Sequence, residues 1–356
     1  MRVLALALLV LIAAPSVVPL SAQGKPGDYV AHNFRFSTGE TLPEVKIHYV
    51  TLGTLRRDAG GISRNVVMIL HGTGGTGRAF LSRNFAGELF GPGQMLDTSK
   101  FFIVLPDNLG HGGSSKPSDG LRMKFPQYTY DDMVALQHRL LTDGLQVNHL
   151  RLVMGTSMGC MHAWVWGYAH PTFVDGLVPL ACAPTSLVGR NRIIRTMIAD
   201  NIKSDPEWKN GDYTSPPMLG LKAAIRALYI MSSAPLVQHR LAPTREAADS
   251  LIRAYVESSS KTTDANNMLY YFDASRTYDP SSHLDAVTTP VLAINSADDF
   301  VNPPELHIVE PLIAKVKQAK FILLPITEQT RGHGTHSQPA IWGSYLKEFL
   351  ATLPER

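Results

Sequence analysis

The sequence predicts an α/β fold: a mostly parallel sheet with helices on both faces and a helical segment inserted before the last strands. Across residues 29–184, short apolar runs typical of buried strands alternate with helical patterns, which indicates parallel β/α units. Residues 185–285 are rich in helix formers and poor in strand runs. The alternation resumes near residue 290 and continues to the end of the chain, so the helical stretch interrupts a single core.

The predicted elements follow one another in a regular order. The candidate strands are 45–52, 66–70, 101–105, 150–154, 177–182, 290–295 and 320–325. The candidate helices are 131–141, 158–168 and about 340–350 in the core, and 191–202, 220–231 and 244–258 in the helical stretch. We therefore divide the chain into a leader at 1–24, a core in two parts at 25–184 and 286–356, and a helical lid at 185–285.

The leader is typical of a secretory signal peptide. Arg2 precedes an apolar run at 3–14, and prolines and small residues follow as far as Gly24. Cleavage after Ala22 or Gly24 would leave a periplasmic or secreted protein without stable membrane insertion. An uncleaved N-terminal anchor is the alternative, although the apolar run is short for a bilayer.

Composition narrows the classes of partner. The 356 residues carry a formal charge of only +3, without a basic patch, which argues against nucleic acid as a partner.

The chain has two cysteines, Cys160 and Cys182. An oxidising compartment permits a disulfide between them. Both positions look buried, however, and a buried thiol behaves as a small apolar residue, so we expect free thiols.

The most informative motif is Gly155-Thr-Ser157-Met-Gly159, which joins an apolar strand to an apolar helix. G-x-S-x-G in this context is the pattern of a nucleophile elbow, in which a sharp turn presents the serine hydroxyl at the carboxyl end of a strand. The flanking glycines permit the strained backbone and close packing. Ser157 is therefore the candidate nucleophile, and a purely structural turn is the alternative.

A serine nucleophile needs a histidine as base and a carboxylate that orients the histidine. In folds with a nucleophile elbow, these residues follow the serine in the order acid, then histidine. The strand at 290–295 leads into Asp298 and Asp299, and the last strand leads into a loop that carries His333 and His336. We expect Asp299 to orient His333. The distance of Asp299 from Pro303 favours the aspartate, and the distance of His333 from the terminal helix favours the histidine. Asp298 and His336 are the alternatives. H-x-x-H also suggests a metal site, but no third ligand stands nearby in sequence.

An ester or amide carbonyl also needs donors for its developing oxyanion. We expect one to be the backbone N–H of Met158 and the other to be Thr73, in the glycine-rich loop at 71–77. This loop also fits G-x-G-x-x-G, and Asp97 follows at the distance of a dinucleotide fingerprint. The segment after the loop is a poor crossover helix, and a nucleotide site leaves the serine elbow unexplained.

With these motifs the chain resembles the α/β-hydrolase superfamily, and more narrowly its homoserine O-acetyltransferase-like branch. The resemblance lies in the elbow, the strand end at 179–183, the motifs at 205–213 and 264–266 in the helical stretch, the loop at 303–305, and Gly332-His333. It implies an acyl-enzyme site without a cofactor or a metal. In that site Ser157 attacks, His333 transfers protons, Asp299 orients the histidine, and Met158 and Thr73 hold the oxyanion. It also implies a possible homodimer through the lid.

The chain departs from the acetyltransferase pattern at one position. There an arginine six residues before an Asp-Pro pair binds the amino-acid carboxylate, whereas this chain has Ala199. Arg195 and Arg192 are either replacements or ordinary surface charges. Export would also separate the enzyme from acetyl-CoA. We therefore expect a serine hydrolase that cleaves a small-molecule carboxylic ester. An O-acyltransferase of the homoserine O-acetyltransferase type is the alternative, and a binding protein or inactive relative is a third reading.

Overall fold

A computed structural model describes residues 24–354 and shows one eight-stranded sheet. The strands are β1 (Lys25–Arg35), β2 (Thr41–Leu52), β3 (Val66–Leu70), β4 (Phe102–Pro106), β5 (Leu152–Thr156), β6 (Leu177–Leu180), β7 (Val291–Ser296) and β8 (Ala319–Leu324). Their order in the sheet is β1-β2-β4-β3-β5-β6-β7-β8. Strand β2 pairs antiparallel with both β1 and β4, and all the later pairs are parallel. The predicted leader lies outside the described residues, apart from Gly24.

The helices divide between the core and the inserted stretch. Those of the core are α1 (Arg83–Leu89), α2 (Tyr130–Arg139), α3 (Met158–Ala169), α9 (Val309–Ile313) and α10 (Pro339–Thr352). Those between β6 and β7 are α4 (Gly189–Lys203), α5 (Met218–Ser232), α6 (Pro235–Leu241), α7 (Arg245–Ser260) and α8 (Ala265–Asp273). We call residues 185–285 the inserted segment. Among residues 24–354, no helix combines the length and apolar character that a bilayer crossing requires.

The core lies on both faces of the sheet, and β3 shows why its strands are continuously apolar. Val66, Met68 and Leu70 belong to the cluster that includes the buried side of α2 and α3. Val67 and Ile69 point the other way, into the cluster that includes α1 and α10. A strand covered by helices on both faces loses the alternation of polar and apolar residues. The central strands were therefore recognisable as short apolar runs.

The predicted fold class is confirmed, and the predicted strands are recovered with small shifts of their ends. The sequence missed β1, which forms the edge of the sheet. Only Ala31 and Phe34 of its eleven residues are buried. A half-exposed edge strand carries a weak apolar pattern, so it left no clear signal.

The inserted segment has an apolar core of its own. Ile198 and Ile202 of α4, Leu221 of α5 and Val256 of α7 are buried together in a cluster separate from the two that flank the sheet. The three predicted helices correspond to α4, α5 and α7, whereas α6 and α8 were not predicted. The function of this segment as a lid stays a prediction.

The expectation of free thiols is wrong in this structure, since Cys160 and Cys182 form a disulfide. Cys160 lies in the first turn of α3, and Cys182 lies just beyond β6. Their Cα atoms are 5.9 Å apart, because the strand before α3 pairs directly with β6. Both residues are indeed buried. Burial alone therefore did not distinguish a free thiol from a bridged one.

Candidate active site

Ser157 occupies the sharp turn between β5 and α3. Its φ of 54° and ψ of −109° lie in a region that residues other than glycine rarely adopt. A Cβ at Gly155 would collide with the backbone of Gly159, and a Cβ at Gly159 would collide with the carbonyl of Leu70. The two glycines therefore allow β5, β3 and α3 to approach closely. The backbone N–H of Ser157 donates to the carbonyl of Leu180 over 2.9 Å, which ties the turn to the end of β6.

The structure brings Ser157, His333 and Asp299 into one hydrogen-bonded series. The Nε2 atom of His333 lies 2.8 Å from Ser157 Oγ, and its Nδ1 atom lies 2.9 Å from Asp299 Oδ2. Burial opposes ionisation of Asp299. The charge of His333, together with hydrogen bonds from His333, Asn302 and Val301, outweighs it and lowers the pKa of the carboxyl group. An ionised Asp299 holds the proton on Nδ1 and leaves Nε2 free to accept the serine proton.

The adjacent Asp298 has a different set of partners. Its Oδ1 accepts a hydrogen bond from Ser296 Oγ over 2.6 Å, and its Oδ2 accepts one from the backbone N–H of Gly332 over 2.8 Å. Gly332 has a φ of 58°, so the loop needs a residue that tolerates this conformation. Asp298 thus fixes the loop that carries His333, while Asp299 contacts the imidazole itself.

His336 lies beside His333 without reaching the serine. The two rings are nearly perpendicular, with centroids 5.2 Å apart. Burial, and then the charge of His333, lowers the pKa of His336 to about 3, so this ring is neutral near pH 7. None of the hydrogen bonds among residues 24–354 joins His336 to Ser157, whose hydroxyl is bonded to His333. Among residues 24–354, no group of three or more potential metal ligands surrounds it.

The two expected oxyanion donors belong to segments that adjoin Ser157, the loop after β3 and the start of α3. The loop after β3 approaches closely, since a Cβ at Gly72 would lie 3.2 Å from the Cβ of Ser157. Thr73 lines the same cavity as the serine. Met158 begins α3, and the first N–H groups of a helix have no acceptor within that helix. Met158 as a whole is fully buried, so a role at the site would fall to its backbone N–H rather than to its side chain.

Sequence reasoning missed His71, whose ring forms hydrogen bonds that fix this loop. Its Nε2 accepts a hydrogen bond from the backbone N–H of Asn108 over 2.9 Å. The ring proton is therefore on Nδ1, which donates to the carbonyl of Gly72 over 2.8 Å. Burial lowers the pKa of His71 to about 4, which keeps the ring neutral. A histidine directly between β3 and the glycine-rich loop was the available signal.

A cavity of about 460 Å³ opens above Ser157 at the boundary between the core and the inserted segment. The core side includes Gly72, Thr73, Ser157, Phe80 and His333, and the inserted side includes Arg195, Leu228, Met231, Tyr255 and Phe272. The volume suits a small ligand. Ser157 and His333 come from the core, and the inserted segment forms the opposing wall.

Arg195 is a buried residue of the cavity wall, which excludes one of the two alternatives left open for it, that of an ordinary surface charge. Its side chain is about 5% exposed, and the residue lines the cavity with Ser157. Nε donates to Asn191 Oδ1 over 2.8 Å, and Nη1 lies 3.2 Å from both the Phe272 carbonyl and Ser275 Oγ. Within residues 24–354, no carboxylate forms an ion pair with this guanidinium. The cavity therefore has a cationic wall.

Ala199 and Arg192 lie elsewhere. Both line a second cavity of about 290 Å³, and neither lines the cavity that contains Ser157. Arg192 is exposed. Arg195 borders both cavities, so it is the α4 arginine that reaches the candidate active site.

Comparison with known families agrees with this geometry. Residues 65–325 match the model of the alpha/beta hydrolase fold family. The chain belongs to this family. It is an enzyme fold whose members place a nucleophile at the strand-to-helix turn that Ser157 occupies.

Individual relatives support the narrower resemblance. A probable acyltransferase of Methanothermobacter thermautotrophicus is 29% identical over 298 residues, which cover 82% of this chain and 87% of that protein. The homoserine O-acetyltransferase of Methanohalophilus mahii is 29% identical over 303 residues, covering 76% of this chain but only 60% of that protein. The crystal structure of esterase E22 has a TM-score of 0.79 at 21% identity, covering 92% of this chain and 99% of that chain. The last similarity concerns the fold alone.

Proposed function

We propose that this protein transfers the acyl group of a small carboxylic ester to Ser157 and then to a hydroxyl acceptor. The observation that supports this most directly is the series from Asp299 through His333 to Ser157 Oγ, with contacts of 2.9 and 2.8 Å. Nucleophile, base and orienting carboxylate in hydrogen-bond contact are the arrangement that covalent acyl transfer requires.

Acylation follows from this arrangement. Ser157 Oγ attacks the ester carbonyl while His333 Nε2 takes its proton, and the Asp299 carboxylate stabilises the resulting imidazolium. The N–H groups of Met158 and Thr73 hold the oxyanion of the tetrahedral intermediate, a contribution worth roughly 10²- to 10³-fold in rate per donor. The intermediate then collapses, and the leaving alkoxide takes the proton from Nε2. The acyl group remains on Ser157 as an ester.

Deacylation repeats these steps with the acceptor in place of the serine. An acceptor O–H gives its proton to Nε2 of His333, and its oxygen attacks the acyl carbon. Collapse of the second intermediate returns the proton to Ser157 Oγ. The core residues perform the same chemistry with water or with an alcohol, so the cavity wall determines which acceptor reacts.

An alcohol that carries a carboxylate is the acceptor we favour over water. Arg195 supplies a buried guanidinium that has no carboxylate partner within residues 24–354, and a guanidinium binds a carboxylate strongly. The relatives that are named as acyltransferases support the same choice. Hydrolysis is the second candidate, because Ala199 replaces the arginine of the acetyltransferase pattern and because the leader predicts export away from acetyl-CoA.

A product assay separates these candidates. Purified protein is given p-nitrophenyl acetate or acetyl-CoA, with and without homoserine, and acetate and O-acetylhomoserine are measured by mass spectrometry. Formation of O-acetylhomoserine supports the acyltransferase. Release of acetate that homoserine does not change supports the hydrolase. A serine-reactive probe, followed by peptide mapping, tests the common step, and the whole proposal fails if Ser157 is not modified.

The location and the assembly state are further proposals. The disulfide between Cys160 and Cys182 supports the predicted export, because disulfides persist in oxidising compartments. N-terminal sequencing of protein exported by a bacterial host tests it.

Exposed apolar side chains on α4 and α5, which include Ile193, Met197 and Leu219, support a homodimer through the inserted segment. Light scattering measures the mass in solution.

A further inference from the structure

The end of β6 forms hydrogen bonds both with the turn that carries Ser157 and with the loop that carries Asp299. The carbonyl of Leu180 accepts the backbone N–H of Ser157 over 2.9 Å. The next carbonyl, that of Ala181, accepts the Nδ2 group of Asn302 over 3.0 Å. Ala181 has a φ of 66°, in the left-handed region that alanine seldom adopts. Two successive peptide groups thus connect the nucleophile turn with the loop that carries Asp299.

Asn302 completes this link to the acid. Its Nδ2 group also lies 3.0 Å from Asp299 Oδ2, the oxygen that contacts His333 Nδ1. The other carboxylate oxygen, Oδ1, accepts the backbone N–H of Val301 over 2.7 Å. A side-chain amide has two N–H donors. Both are used, one on the strand end and one on the carboxylate, so the position of Asp299 is fixed relative to β6.

We propose that Asn302 is a positioning residue of the active site, which holds Asp299 Oδ2 in line with His333 Nδ1 and reduces the negative charge that the carboxylate presents to the imidazole. This inference rests on the proposed acyl transfer at Ser157. It assigns a role to a residue that does not contact the substrate and acts only through Asp299.

The charge effect has a definite sign. A donor to a carboxylate stabilises the ionised form and withdraws negative charge from its oxygens. Without that donor, Asp299 stabilises the imidazolium of His333 more strongly, which favours the protonated form of the base. The acid limb of the pH–rate profile then moves to higher pH. Loss of alignment lowers kcat, while KM changes little because the substrate contacts remain.

Two substitutions test this role. Asn302→Ala removes both donors. Asn302→Asp is nearly isosteric and places an oxygen against Asp299 Oδ2, so it disturbs the charge with little change of shape. For each variant we expect a loss of roughly 10- to 100-fold in kcat, the amount that a hydrogen bond to a charged group contributes. We also expect the acid limb to move to higher pH.

The chain offers a matched control in Asn295. This buried side chain donates from Nδ2 to the carbonyl of Cys182 over 3.2 Å, at the same strand end, without contacting Asp299. Asn295→Ala therefore removes a comparable structural hydrogen bond. It should lower the melting temperature without moving the acid limb.

The experiment measures p-nitrophenyl acetate hydrolysis against pH for the wild type and the three variants, together with an NMR titration of the His333 ring. If Asn302→Asp and every folded Asn302→Ala sample share the acid limb and His333 pKa of the wild type, Asn302 is only structural and the inference is wrong. The NMR titration needs no substrate. A wild type without esterase or acyltransferase activity therefore overturns the proposed function, whereas an unchanged titration overturns this inference alone.

Discussion

The sheet core and the inserted segment form opposite walls of one cavity, but they contribute different kinds of side chain. The core supplies Ser157, His333 and Asp299, which strand ends and backbone hydrogen bonds hold in place. The inserted segment supplies apolar side chains and the guanidinium of Arg195. Under the proposed function, reactivity therefore resides in the core and acceptor choice in the inserted segment. Substitutions in the two parts should therefore have separable effects.

The largest expected effect is in the core. Ser157→Ala should lower the rate of ester turnover by on the order of 10⁴- to 10⁶-fold, as removal of a triad member does. Its melting temperature should stay near that of the wild type, because within residues 24–354 the hydroxyl loses a single hydrogen bond, to His333. Steady-state kinetics and a thermal melt measure both quantities. A variant with near-native turnover would show that the nucleophile lies elsewhere.

Asp299 and Asp298 are adjacent in sequence, but we expect the first to act in the reaction and the second to hold the loop that carries His333. Asp299→Asn should lower kcat by about 10⁴-fold, since the amide no longer holds the imidazole in the right tautomer. Asp298→Asn is the matched control, because it keeps an oxygen and loses one acceptor for Ser296 or Gly332. It should mainly lower the melting temperature. The reverse order of the two kcat values would exchange the roles assigned to them.

The elements that sequence reasoning recovered are those whose signal is local. Strand β5 is apolar throughout because helices cover both faces, and the elbow follows it directly. The order of serine, acid and histidine along the chain then located the partners of Ser157. Which aspartate contacts His333 depends on the course of a loop, so both remained open until the loop was seen.

The features that it missed depend on packing between distant segments. The burial of Arg195 arises because α4 lies against the carbonyl of Phe272 in α8. The disulfide arises because α3 begins beside the end of β6. Asn302 reaches Ala181 across 121 positions of sequence. No periodicity in a single sequence reports such contacts, since each residue looks ordinary in its own segment.

A smaller and more selective effect is expected in the inserted segment. Arg195→Gln should raise KM for homoserine by roughly 10- to 100-fold, the contribution of a hydrogen bond to a charged group. Turnover of p-nitrophenyl acetate, which has no carboxylate, should change little. Arg192→Gln, at an exposed position that does not line this cavity, is the control. A parallel loss with both substrates would mean that Arg195 only supports the wall.

The last and smallest effect concerns acid stability, which we assign to the core. Burial lowers the pKa of His336 to about 3, well below its unfolded value near 6.5. The unfolded chain therefore binds a proton that the folded chain excludes between these values. The contribution of the neutral ring to stability is complete above about pH 6.5 and declines as the pH falls toward 3. At pH 5 the loss from this residue is about 2 kcal/mol relative to pH 8.

His336→Phe tests this contribution, because it keeps a ring and removes the titrating group. The Nδ1 atom of His336 is buried without a hydrogen-bond partner among the described residues, so no protein contact of that atom is lost. Urea unfolding at pH 8 and pH 5 gives the two free energies for wild type and variant. We expect the drop between them to be about 2 kcal/mol smaller in the variant. His71 and His111, whose pKa values burial also lowers, to about 4 and about 3, should maintain part of the drop in both proteins. An identical drop in the two proteins would show that His336 does not contribute to the acid sensitivity.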